Sequence, residues 1–93
     1  MPDLLFEIWS DREDRCGSMS VVHPQNDKAR TLVQPDAVLV HSYTASSDFD
    51  AFRQNNAWHG FEPWTPPEDL EEHFFTEEEV AEQQAYLCER KPN

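Results

Sequence analysis

Four histidines (His23, His41, His59, His73) and two cysteines (Cys16, Cys88) are the residues of this 93-residue chain best suited to ligate a metal or move a proton. Their spacing does not assemble a site. No His-x-x-x-His or Cys-x-x-Cys is present, so neither a metal nor a cofactor is expected. His73 and Glu77 are four apart, but Thr76 opens a helix between them. Arg12 and Arg15 precede Cys16, and neighbouring cations lower a thiol pKa. A Cys16 nucleophile helped by a histidine is therefore conceivable, yet no local signature accompanies it. No catalytic residue is assigned; the enzyme question stays open, with a non-catalytic role preferred.

Binding chemistry has two other candidates. In Trp58-His59-Gly60-Phe61-Glu62-Pro63-Trp64, aromatics crowd around a helix stop. With His41 from a neighbouring strand, Trp58, His59 and Trp64 could line a small ligand surface, since indole N–H groups orient polar ligands. The bland alternative is that they plug the end of a small core. The second candidate is the acidic C-terminal segment, where Trp64, Leu70, Phe74, Phe75, Val80 and Leu87 interrupt the carboxylates. Aromatic anchors of this kind supply much of the energy at protein contacts, so these six residues form a candidate interface.

Charge narrows the partners. Nineteen acidic and seven basic residues give a net charge of −12. From Glu62 onward, ten carboxylates face only Arg90 and Lys91. Such a surface repels phosphate backbones and anionic headgroups, so direct nucleic-acid or membrane binding is not expected. The expected partner is a second copy, as a homodimer, or a basic protein. The N-terminus has no basic n-region and no sustained apolar run, so neither a signal peptide nor a membrane span is expected. Reduced cysteines and a cytoplasmic address follow.

The elements that position these residues are legible in part. Leu4 to Trp9 is apolar on both faces and reads as a central strand. Ser18 to His23 alternates as a second strand across a charged loop, and Pro24 ends it. Asn26 or Asp27 can cap a helix over 28–33 with Ala29, Leu32 and Val33 on one face. Ala37 to Thr44 is a third, β-branched strand that places His41 on the side of Leu39 and Tyr43. Ser46 or Ser47 caps a helix facing the core with Phe49 and Phe52, and Gly60 stops it. Three prolines between Phe61 and Phe75 argue against regular structure there. Thr76-Glu77-Glu78-Glu79 is a capping box, with Phe75 and Val80 as a hydrophobic staple. Thr76→Ala should cost about 1 kcal/mol. Val80, Ala81, Gln84, Ala85, Leu87 and Cys88 form the stripe of the last helix.

Three stretches taken together carry a resemblance: Leu5-Phe6-Glu7-Ile8-Trp9-Ser10 with Cys16 shortly after; Pro35 to His41 leading to Ala45-Ser46-Ser47; and Gly60-Phe61-Glu62-Pro63-Trp64. Over residues 4–64 the chain resembles a group of short uncharacterised bacterial proteins, some of mobile gene-cassette type. The resemblance implies a bacterial, cytoplasmic, single-domain protein and carries over no site residue. Residues 65–93 have no counterpart in it.

The expected fold is α+β: a three-stranded antiparallel sheet in the order 2-1-3 within a ββαβα arrangement, helices on one face, and a C-terminal arm and helix. Residues 1–64 form the compact core; 65–93 form an acidic, Pro-containing arm and helix of the same domain. The expected function is a non-catalytic interaction or accessory module that self-associates through that arm and helix. Two alternatives stand beside it: a ligand- or metal-binding protein or minor enzyme using His41, Trp58, His59 and Trp64, and an acidic nucleic-acid mimic that blocks a basic DNA-binding protein.

Overall fold

The computed structural model describes residues 2–10 and 17–90. Its elements run β1 (Leu4–Ser10), β2 (Ser18–Val21), α1 (Pro24–Val33), β3 (Val38–Ala45), α2 (Asp48–His59) and α3 (Glu77–Glu89). The strands form an antiparallel sheet in the order β2-β1-β3, with the most apolar strand in the middle.

Side chains alternate across a strand, and β1 uses both faces. Leu4, Phe6 and Ile8 are buried on one side. Met19 and Val21 of β2 and His41, Tyr43 and Ala45 of β3 stand opposite them in the ladder. Ala51 of α2, Phe75 of the arm and Val80 of α3 complete this core. Leu5, Glu7 and Trp9 point to the other side, opposite Ser18, Ser20, Ser42 and Thr44.

The helices do not all lie on one face. Helix α2 covers the Phe6 side, where the Tyr43 hydroxyl donates to the Ala51 carbonyl at 3.0 Å. Helix α1 approaches the other side, with the Arg30 guanidinium 3.7 Å from the centre of the Trp9 ring. Helix α3 turns around the sheet between them. Near its start Val80 joins the core, and just beyond its end Arg90 reaches Glu7 on the opposite face. A strand apolar on both sides needs cover on both.

Local chemistry shifts three further expectations. Helix α1 starts at Pro24 rather than after Asn26. Proline suits the first helical position because its missing N–H is not needed there, and His23 Nδ1 caps the helix by accepting from the Gln25 N–H. Asn26 instead donates to the Val21 carbonyl at 2.9 Å. The expected inward face of α1 is open: Leu32 is 74% exposed and Val33 79%. In β3, an irregularity next to Val40 pairs Leu39 with Trp9. It separates Leu39 from the side that His41 and Tyr43 share.

Helices α2 and α3 begin as their sequences indicate. The Ser47 hydroxyl accepts from the Asp50 N–H, and Thr76 and Glu79 form the reciprocal capping box. Gly60 closes α2 in the left-handed region at φ 76°, with Phe61 N–H reaching the Asn56 carbonyl at 2.9 Å. Gly17 also has φ 76°, and a Cβ there would stand 2.8 Å from Ile8 Cγ2.

Candidate functional site

Three of the four residues expected to bind a ligand come together. His41 lies on β3, while Trp58 and His59 end α2, which packs alongside it. The His41 and Trp58 rings stack at 5.2 Å and 11°. Trp58 meets His59 edge-on at 4.9 Å, and His59 stacks on Phe61 at 4.9 Å. On the inner side His41 faces Tyr43 at 5.8 Å, and Tyr43 faces Phe6 at 5.6 Å. The result is a ladder of rings rising from the core to solvent, where Trp58 is 42% and Phe61 51% exposed. Burial, reinforced by the nearby Asp50 carboxylate, pushes the Tyr43 hydroxyl up to about 12. It therefore serves as a neutral donor across the whole ordinary pH range.

Trp64 belongs elsewhere. Its ring lies 5.1 Å from Phe49 and 5.0 Å from Phe52, pinning the start of the arm to α2. The arm returns at residues 72–75 beside the beginning of α2. Phe74 bridges to Ser47, Asp48 N–H donates to the His73 carbonyl, and Phe75 N–H donates to the Ser46 carbonyl. The buried Ser47 hydroxyl donates to Glu72. Of the six expected interface residues, Phe75 and Val80 pack on this chain's own core. Trp64 and Leu87 are half-buried, whereas Leu70 and Phe74 are 49% and 50% exposed.

The inward stripe of α3 is also different from the expected one. Ala81, Gln84, Ala85 and Cys88 are exposed, and the buried residue is Gln83. Its amide accepts from the Leu5 N–H at 2.8 Å and donates to the Leu5 and Val22 carbonyls at 3.1 and 3.0 Å. It thus continues the β1 ladder where β2 turns away. One turn further, Tyr86 donates to Asp27. Beyond the helix, Arg90 grips Glu7 at 2.7 and 3.0 Å and Asp27 at 3.0 Å. Glu7 is almost fully buried and also accepts from Trp9 Nε1 at 3.0 Å. The Glu7 carboxylate raises the Arg90 pKa, and Asp27 adds to it; hydrogen bonding to Asp27 raises the Tyr86 hydroxyl. A buried charge is tolerated only when paired and hydrogen-bonded. This cluster therefore reads as a clasp joining β1, α1 and α3. Sequence reasoning missed it because its members span residues 7 to 90. The signal available was a lone Glu inside an otherwise apolar strand.

A crevice of about 380 Å³ opens between the β2–α1 junction and α3. Leu4, Val22 and Pro24 give it apolar walls, and His23, Glu79 and Glu82 are polar. Burial tends to raise Glu79, but the Thr76 backbone N–H and the His73 imidazole outweigh it and hold the carboxyl below its ordinary value. An apolar floor rimmed by carboxylates suits an aliphatic cation.

No family model, no curated protein and no solved structure matches the chain. Any functional assignment therefore rests on the geometry itself. Among the described residues no group of three or more His, Cys, Asp or Glu side chains is placed to hold a metal ion. Cys16 lies outside the described residues, and Cys88 is an exposed free thiol. No described helix is long and apolar enough to cross a membrane.

Proposed function

We propose that this chain is a non-catalytic acidic interaction module that associates with a second copy of itself. One observation carries the reading. The fold leaves large aliphatic side chains open, Leu32 at 74% and Val33 at 79% foremost, on a small chain of net charge −12. Exposed apolar groups in such number mark contact surfaces. A cytoplasmic setting belongs to the same proposal, and the free thiol of Cys88 is compatible with a reducing compartment. The test is the molar mass across a dilution series at low and high salt. Self-association predicts a dimer that strengthens with salt, because screening removes repulsion between acidic copies. A basic partner would instead be released by salt. A monomer under all conditions overturns the proposal.

The stacked His41, Trp58, His59 and Phe61 rings favour a second reading, in which the outer end of the ladder holds a flat, weakly polar ligand. Trp58 fluorescence reports on it. Ligand-induced quenching that Trp58→Phe abolishes and Trp64→Phe retains would support it; equal loss in both variants would sink it.

A further inference from the structure

We propose that the second copy docks on an aliphatic shoulder built from the end of α1 and the start of β3: Leu32, Val33, Val38, Leu39 and Val40. The dimer invoked here is the self-association proposed above, with its surface now named. All five side chains are exposed, from 42% at Val40 to 79% at Val33. They follow one another along the chain, from the end of α1 into the outer strand β3. Val33 lines a shallow crevice with Trp9 and Arg30, and Trp9 is the ladder partner of Leu39.

Charge selects the occupant. Between Thr31 and Ser47 the only Asp, Glu, Lys or Arg is Asp36. Within this segment a basic partner finds a single carboxylate to hold, and an identical acidic copy a single one to repel it. The arm is the reverse case. Leu70 sits between Asp69 and Glu71, Phe74 follows Glu71 and Glu72, and no Lys or Arg occurs from Glu62 to Glu89. Two copies meeting through the arm would bring those carboxylates together. A two-fold dimer needs one self-complementary patch, and the shoulder is the apolar patch that lets like-charged chains approach.

The contact is side-chain packing rather than strand addition. Leu5 directs its carbonyl towards β2, where Val22 N–H binds it. Its β3 partner Thr44 therefore points to the outer edge. There Gln54 Nε2 already donates to the Thr44 carbonyl at 2.8 Å, and the irregularity at Val40 interrupts the remaining edge. Both are devices that discourage a further strand.

The experiment is sedimentation equilibrium of the full chain and two charge-neutral double variants, Leu32→Gln/Leu39→Thr at the shoulder and Leu70→Gln/Phe74→Gln in the arm. The expected result is a wild-type dimer whose dissociation constant rises roughly tenfold or more in the shoulder variant and stays unchanged in the arm variant. A dimer untouched by the shoulder pair, or lost only with the arm pair, overturns the shoulder while self-association stands. A monomeric wild type overturns both. Should the shoulder pair unfold, as circular dichroism would reveal, Val33→Gln alone repeats the test at the most exposed position, with the same two outcomes.

Discussion

The acidic arm with α3 and the neutral shoulder differ in sequence and in what the fold does with them. Residues 62–89 are rich in carboxylates and carry aromatics, which suggests a contact surface within the same domain. The structure uses several residues between Phe75 and Arg90 inside one chain. Phe75 and Val80 fill the core, Gln83 completes the β1 ladder and Arg90 neutralises Glu7. Residues 31–47 look like an ordinary helix end and strand, yet keep Leu32, Val33, Val38, Leu39 and Val40 in water. The lesson is about supply. Each face of a small sheet takes only as much cover as its own chain provides, and here α3 and the arm cover the β1–β2 side and the start of α2. The β3 shoulder stays exposed, and it is there that the proposed second copy would dock.

The contrast can be broken most severely by truncation after Trp64. Removing Gln83, Arg90 and Phe75 should abolish cooperative unfolding, measured by urea denaturation; a truncated chain with unchanged stability would show that α3 is dispensable. Next comes Arg90→Ala, which strands the nearly buried Glu7 and should cost about 3 kcal/mol, read from the urea midpoint. Gln83→Ala leaves a Leu5 N–H and two carbonyls without their amide partner and should cost about 2 kcal/mol. Hydrogen exchange at Leu5 is the specific readout.

A smaller effect comes from pH. The carboxyl of Glu79 is lowered from 4.5 in the folded state. Its contribution is therefore complete above that value and is lost as pH falls through the folded pKa. Stability should decline on acidification in that window, and Glu79→Gln should flatten the decline in a series of urea curves. The smallest change is expected at the shoulder. Val33→Gln should alter monomer stability by no more than about 0.5 kcal/mol, because the side chain is already in water. A larger loss in thermal melts at high dilution would mean that Val33 packs within its own chain.

The local signals were legible because each lies within a few residues. Apolar residues on both faces of Leu4 to Trp9 mark β1 as the central strand, and it lies at the centre of the sheet. Ser47, Thr76 with Glu79, and Gly60 marked helix ends through hydrogen bonds that close within one turn. The start of α1 is not legible locally, because Pro24 suits both the end of a strand and the first turn of a helix. Part of the candidate site was legible as well. Trp58 and His59 are adjacent in sequence, but only packing of α2 beside β3 brings His41 to them and sends Trp64 to Phe49 and Phe52.

The sequence by itself determined the sheet order, the caps of α2 and α3, the charge and the aromatic supply, since these follow from side-chain periodicity, short-range hydrogen bonding and composition. Tertiary structure alone decided which groups became internal. Glu7 and Arg90 lie 83 residues apart, and Leu5 and Gln83 lie 78 apart. No local propensity links such pairs; they meet because burying a strand on both faces leaves a charge and a ladder end that only the last helix can satisfy.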